Sequence, residues 1–249
     1  MTQRINSAII IPSYNELEAL PSLLRKLLPG LSEKDSIIVV DDSEPIVAAR
    51  INELCLEVLE SAPCHFSFLA NGSKGGRGAA VRKGMIFADE TFPNLQFLLE
   101  CDADESHRPE DILKILRLNS NSDLVIGSRY MKESEIHGWP ISRRIFSFVL
   151  NKTLPRIVNI KITDITNGLR RYSRGAYKAV ISKPPINSGF IYLTEQAVLV
   201  SKADLSILEV PIVFENRLLG QSTVTWREIL NSLKGIIGLG YRRMLQFKE

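Results

Sequence analysis

The sequence is short of cysteine, of long apolar runs and of excess charge, and each shortage closes a class of function. Only Cys55, Cys64 and Cys101 occur among 249 residues. They are odd in number, lack C-x-x-C spacing and sit in or beside apolar segments, which predicts buried reduced thiols rather than a disulfide framework or zinc site. No uncharged apolar stretch reaches the roughly 18 to 20 residues that cross a bilayer, and the opening MTQRINSAIIIPSYNE turns polar too soon for a signal peptide. The expectation is a cytoplasmic chain with no membrane span. Lys plus Arg number 31 against 28 Asp plus Glu, an excess too small for a protein that coats nucleic acid.

The near balance hides a division. Residues 1–128 carry 12 basic and 19 acidic side chains, residues 129–178 carry 11 and 3, and residues 179–249 carry 8 and 6. An acidic front half meets a basic middle.

Across the acidic half, short apolar runs alternate with helix-like segments. SAIII (7–11), SIIVV (36–40), HFSFLA (65–70), LQFLLE (95–100) and DLVIG (123–127) read as buried strands, being short, β-branched or aromatic, and bounded by polar turns. Between them, Leu20, Leu23, Leu24, Leu27 and Leu28 recur at helical spacing, and Pro109 suits a first helical turn. Strand and helix in alternation predict an α/β fold with a mainly parallel central sheet flanked by helices. Ligands of such sheets bind in the loops after the strands' carboxyl ends.

Those loops carry the unusual residues. The first strand runs into Pro12, Ser13, Tyr14, Asn15 and Glu16, the second into Asp41 and Asp42, the fourth into Asp102, Ala103 and Asp104. Each set has an ordinary reading, since Asp and Asn favour turns and helix caps. Together on one sheet edge the carboxylates would repel unless a cation sat among them, and a hard divalent ion, Mg²⁺ or Mn²⁺, would relieve that. The Gly-rich KGGRGAAVRKGM (74–85) fails both the P-loop pattern and the dinucleotide fingerprint, with Val81 in place of the third glycine. Glycines that permit a tight turn and close helix packing account for it at least as well, and an NAD enzyme is disfavoured.

Taken in order, IIIPSYNE, IIVVDDSEP, GGRGAAVRKGM, ECDADESHRPED, VIGSRY, WPISRR, TDITNGLRRY and VPIVFENRLLGQS resemble the family 2 glycosyltransferases of GT-A fold, and within them the dolichol-phosphate (polyprenol-phosphate) mannosyltransferases. The likeness covers roughly residues 7–223. It implies a GT-A catalytic domain over 1–223; in the remaining 224–249, Trp226, Ile229, Leu230, Leu233, Ile237, Tyr241 and Met244 recur at helical spacing and predict an amphipathic extension whose apolar stripe would pack on the sheet, on a small membrane-anchoring partner or on a membrane surface. It implies a metal-dependent, inverting hexosyltransferase at the cytoplasmic face of a membrane, with a nucleotide-diphosphate sugar as donor, GDP-mannose first and a UDP-hexose second, and polyprenyl phosphate as acceptor.

By the same resemblance Pro12, Tyr14, Glu16, Val40 and Asp42 frame the nucleotide. Asp102 and Asp104 are the DxD pair, Asp104 holding the divalent ion with Asp102 and the Ala103 backbone beside it, and Ser106 stands where some members place a metal ligand. Arg129 stabilises phosphate charge, Arg143 meets the acceptor phosphate in preference to Arg144, and Arg217 reaches the donor phosphates. A guanidinium gives phosphate oxygens paired, fixed hydrogen bonds. The sequence departs from the pattern at Gln221-Ser222-Thr223, where a lysine usually follows, at DDSEPIVAA, which lacks a later Asp and Gly, and at Gly76-Arg77. Two alternatives stay open: a saccharide hydroxyl acceptor with Glu195 as base, and a nucleotide-sugar-binding protein without turnover.

Overall fold

A computed structural model describes residues 5–184 and 191–216. The chain runs β1 (Ser7–Ser13), α1 (Ala19–Leu27), β2 (Asp35–Asp41), α2 (Pro45–Leu59), β3 (His65–Ala70), α3 (Arg77–Thr91), β4 (Phe97–Glu100), α4 (Pro109–Leu116) and β5 (Leu124–Ser128). There follow β6 (Glu135–Ile136), α5 (Ile141–Val158), β7 (Arg170–Ser173), α6 (Arg174–Ile181), α7 (Ile191–Lys202), β8 (Ile207–Pro211) and β9 (Val213–Phe214). All five expected strands form, the third with the expected bounds.

Seven strands make one sheet in the order β3-β2-β1-β4-β7-β5-β8, and β6 pairs with β9 alongside. The sheet is parallel except for β7, which runs antiparallel between β4 and β5. Apolar residues alternate across it because successive side chains of a strand point to opposite faces. Ile9, Ile11, Ile37 and Val39 pack with Leu20, Leu23, Leu24 and Leu27 on one side. Ala8, Ile10, Ile38 and Val40 pack with Val81 and Met85 on the other. Leu28, read as part of the α1 stripe, lies instead in the 3-10 turn that closes the helix. Pro109 stands in the first turn of α4, with Arg108 as its cap residue.

The order β2-β1-β4 puts the three acidic loops side by side at one sheet edge. All three cysteines are free and buried, and burial pushes the Cys55 thiol up to about 12. No helix among the described residues is long and apolar enough to cross a membrane. The 224–249 extension lies outside the described residues.

Candidate active site

Two of the acidic loops bind carboxylates of their own. Asp41 accepts the Ser43 amide at 2.9 Å and Asp104 the Ser106 amide at 3.1 Å, both two-residue turns. Asp42 accepts the amides of Gly75 and Gly76 at 2.9 Å each and the Asn71 side chain at 2.6 Å. The Gly-rich loop therefore serves a carboxylate of the protein itself. Gly76 holds φ at +89° as the cap of α3, a conformation other residues avoid, and a Cβ on Gly78 would come within 2.8 Å of Tyr192. The tight-turn and close-packing reading is the one that holds.

Arg77, whose place in GGRG departs from the family pattern, donates from Nε to Asp102 at 2.6 Å, from Nη1 to Glu100 at 2.7 Å and from Nη2 to the Gly168 carbonyl at 3.0 Å. Burial opposes its charge, but Asp102, Tyr192 and Glu100 hold its pKa well above the ordinary value. Glu100 is fully buried and also accepts the Tyr172 hydroxyl at 2.6 Å and the Tyr192 hydroxyl at 2.5 Å. Repulsion among the edge carboxylates is thus answered by backbone amides and one arginine. Repulsion alone does not demand a cation there, contrary to the sequence argument.

The DxD loop is pinned from below by His107, which has no exposure. Its Nδ1 lies 3.1 Å from the Asp102 amide and its Nε2 2.8 Å from Asn167 Oδ1. An amide can only donate, so Nδ1 accepts and the proton resides on Nε2, where it donates to Asn167. Asn167 in turn donates to the Gly127 carbonyl, fixing its amide orientation.

On the neighbouring strand end, Arg129 is buried rather than a solvated surface arginine. Its Nε and Nη2 form a bidentate pair with Asp164 at 2.7 and 2.8 Å, and its Nη2 reaches Thr166 Oγ1 at 2.8 Å. None of these bonds uses Nη1. Burial works against the charge, and Asp164 outweighs it, with smaller contributions from Tyr130 and Asp102. Asp164 is likewise pushed up by burial but held below the usual carboxylate range by Arg129. The Arg129 guanidinium lies 5.3 Å from the ring centres of both Trp139 and Phe214, and Arg143 stacks on Trp139 at 4.1 Å. One indole thus joins the two arginines. Arg144 instead donates to the Ile136 carbonyl at 2.6 Å. A groove of about 420 Å³ opens here between Arg129, Tyr130, Ser134, Ile136, Arg144, Ile145 and Phe148.

The remaining site candidates are spread more widely. Pro12 is the penultimate residue of β1, and Tyr14 just beyond the strand is partly exposed under the Lys74 ammonium, 4.6 Å from its ring centre. Glu16 follows in the same loop. Val40, expected to border the nucleotide, is fully buried in the core beneath α3. Its side chain has no surface to offer, so only its backbone lies open to that role. Ala103 is buried between the two DxD aspartates. Glu195 is also buried, in α7, where it lines a small cavity with Gly78, Arg82 and Lys183 rather than standing on a helix surface. Arg217 lies outside the described residues.

Sequence reasoning passed over Arg77, Glu100, Tyr192, His107, Trp139, Asp164, Asn167 and Phe214 as working parts. Several stand inside the motifs quoted above, so their neighbourhood was the available signal, although their partners lie far along the chain.

Solved structures share this architecture. A glucosyl-3-phosphoglycerate synthase from Mycobacterium tuberculosis, determined with Mg²⁺ and uridine diphosphate, is 14% identical with a TM-score of 0.58, over 94% of this chain and 78% of that one. A mannosyltransferase from Pyrobaculum calidifontis, determined with GDP-mannose and Mn²⁺, is 15% identical with a TM-score of 0.57, over 94% and 64%. The fold class is GT-A, a helix-flanked, mostly parallel sheet. The glycosyl transferase family 2 model matches residues 8–181, and the chain belongs to that family. It is a glycosyltransferase. Over 217 residues it is 33% identical to an undecaprenyl-phosphate mannosyltransferase of Micrococcus luteus, covering 87% of this chain and 86% of that one. Over 245 residues it is 29% identical to a polyprenol monophosphomannose synthase of Mycolicibacterium smegmatis, covering 98% and 89%.

Proposed function

We propose that the chain transfers mannose from GDP-mannose to a polyprenyl phosphate with inversion at the anomeric carbon. The observation that carries this reading is the groove beside the acidic loops, which offers Arg129 and Arg144 to a phosphate, with Arg143 stacked on Trp139 next to it, and the apolar walls of Tyr130, Ile136, Ile145 and Phe148 to a hydrocarbon chain. The names of the two relatives above support the same substrate classes.

Asp102 and Asp104 suit a divalent cation. Mg²⁺ is commonly held by one or two carboxylates together with substrate phosphates, so the absence of a three-ligand His, Cys, Asp or Glu cluster among the described residues does not count against it. Ser106 Oγ is buried without a hydrogen-bond partner in the same loop, a polar atom left over where a ligand or a water bound to one would use it. Because Asp102 already pairs with Arg77, Asp104 is the principal ligand in this proposal. Once bound, such an ion neutralises charge on the departing diphosphate.

The other roles fall to the protein's own groups. Pro12, Tyr14, Glu16, Asp42 and the Val40 backbone border the nucleotide. The acceptor is already anionic near neutral pH, so its phosphate oxygen attacks the anomeric carbon without a strong base while the bond to the nucleoside diphosphate breaks. Arg143 orients the incoming phosphate, and Arg129 stabilises charge between acceptor and leaving group from a position fixed by Asp164. Arg217 completes the donor phosphate contacts in this reading.

Incubation of the protein with Mg²⁺ or Mn²⁺, GDP-mannose or UDP-hexoses, and a short polyprenyl phosphate tests the proposal by mass spectrometry of the lipid fraction. The expected product is a mannosyl phosphopolyprenol formed from GDP-mannose alone. Absence of a lipid product with every donor, alongside transfer to a saccharide, would overturn it.

A further inference from the structure

Arg77 opens α3, and its guanidinium divides its hydrogen bonds between two sides. Nη1 and Nη2 turn inward, to the fully buried Glu100 at 2.7 Å, to the Tyr192 hydroxyl and to the Gly168 carbonyl at 3.0 Å. Nε faces the DxD loop and donates to Asp102 at 2.6 Å, a residue whose side chain is 30% exposed. The inner seat is shaped for this group, since a Cβ on Gly168 would come within 2.3 Å of Nη2. Anchor and loop contact thus use different nitrogens. The Nε bond can be exchanged while the anchor holds.

Two cations have a claim on the same carboxylate. A divalent ion on the DxD pair needs the oxygens of Asp102 that Arg77 holds, and it meets a fixed positive charge just beyond them. Like charges that close repel even at the high effective dielectric of a protein surface. A nucleoside diphosphate changes the balance for both. Its oxygens accept charge-assisted hydrogen bonds from a guanidinium, and they complete the ligand set of an ion usually bound by carboxylates and substrate phosphates together. Ion and diphosphate therefore favour one arrangement, in which Nε has turned to phosphate and Asp102 to the ion. Two ligands that favour the same arrangement raise each other's affinity by an equal factor.

We infer that Arg77 competes with the divalent ion for Asp102 and thereby makes ion binding conditional on the nucleotide diphosphate. Arg77 is a positioning residue that acts through Asp102. The inference deepens the reading of Asp102 and Asp104 as the metal site and rests on it. Its consequence is an order of events at the donor site: ion and nucleotide arrive together, and the departing nucleoside diphosphate takes the ion with it.

Manganese binding to the full-length protein, followed by the electron paramagnetic resonance of the free ion, tests this without any transfer reaction. Titrations run without nucleotide, with GDP and with UDP, and the binding of Mn²⁺ to each nucleotide in solution is measured in parallel and subtracted. In the wild type the better nucleotide should tighten Mn²⁺ binding by about 100-fold, within the usual range of coupling between sites. Arg77→Met would leave Glu100 buried without its cation, so it is paired with Glu100→Gln. In that double variant Mn²⁺ alone should bind about tenfold tighter and the effect of the nucleotide should shrink by about tenfold. Arg77→Gln, which keeps a hydrogen-bond donor for Glu100, should give the same result and replaces the double variant if that one does not fold. Glu100→Gln alone keeps the guanidinium and should keep the wild-type coupling. Unchanged coupling in the Arg77 variants overturns the inference and leaves the metal site standing. Weaker binding of Mn²⁺ alone to those variants also overturns it, because Arg77 would then support the ion. So does coupling lost in Glu100→Gln alone, which would assign the effect to the buried carboxylate. Absence of Mn²⁺ binding to the wild type with either nucleotide removes the metal reading and the inference with it.

Discussion

Two halves of one sheet edge handle charge in opposite ways. At the ends of β2 and β4, Asp41 and Asp104 are held by amides two residues on, Asp42 by the glycine loop before α3 and Asp102 by Arg77. At the end of β5 an arginine is held by Asp164, 35 residues away, and boxed by Trp139 and Phe214 from two further segments. The acidic half mixes two-residue turns at Asp41 and Asp104 with contacts from the Arg77 loop, whereas Arg129 is held chiefly by distant segments. Damage at Asp104, held by its own turn, should therefore fall on function, and damage at Arg129 on function and folding together.

The largest effect should separate the two halves directly. Arg129→Met leaves Asp164 as a buried charge without its partner, a kind of change that costs about 3–5 kcal/mol. Urea denaturation should show that loss, and transfer should fall as well. An Arg129→Met protein as stable as the wild type would erase the contrast.

Next in size, Asp104→Ala should reduce transfer by about 100- to 1,000-fold, the scale of removing one group that stabilises developing charge. Its urea midpoint should stay near that of the wild type. In a thermal-shift assay, GDP-mannose with Mn²⁺ should raise the melting temperature of the wild type far more than that of the variant, since a ligand of the folded state stabilises it. Equal shifts would remove Asp104 from the metal site.

A smaller change sharpens the comparison within the basic half. Arg143 is exposed and stacks on Trp139, whereas Arg129 is buried against Asp164. Arg143→Ala should raise the acceptor KM by about tenfold, roughly 1.4 kcal/mol, with little change in stability or in the donor KM. A shift in the donor KM instead would move Arg143 to the other substrate.

The least effect at neutral pH concerns titration. Asp164 in the folded protein titrates below its ordinary value, so its ionised form contributes stability above the usual carboxylate range, and that contribution is lost as pH falls through the depressed value. The stability gap between wild type and Asp164→Asn should be constant from pH 5 to 7 and narrow only below about pH 4. A gap that closes already at pH 5 to 6 would show that Arg129 does not hold the carboxyl down.

The same contrast explains how much was legible in the sequence. β1 to β5 and the three acidic loops were readable because buried strands and polar turns are local patterns, and β3 kept its expected bounds. Val40 was assigned to the nucleotide border by the family resemblance, although strand alternation turns its side chain into the core under α3. The antiparallel β7 escaped because nothing in RRYS announces strand direction, and Arg170 and Arg171 within it are almost wholly buried, with guanidinium groups that donate to distant carbonyls. Asp164 looked like one acid in a basic stretch. Its importance lies in a pairing that only the folded chain makes.

The hydrogen-bond chain from the Asp102 amide through His107 and Asn167 to the Gly127 carbonyl has a consequence for anyone recombining such enzymes. It stitches the DxD loop to the end of β5, so the donor-side and acceptor-side modules share one seam. A chimera that imports residues 129–165 from a relative crosses no part of that chain and should keep its donor loop in place. A crossover between 107 and 167 that pairs a foreign residue with His107 would let the loop drift while leaving every acidic side chain present.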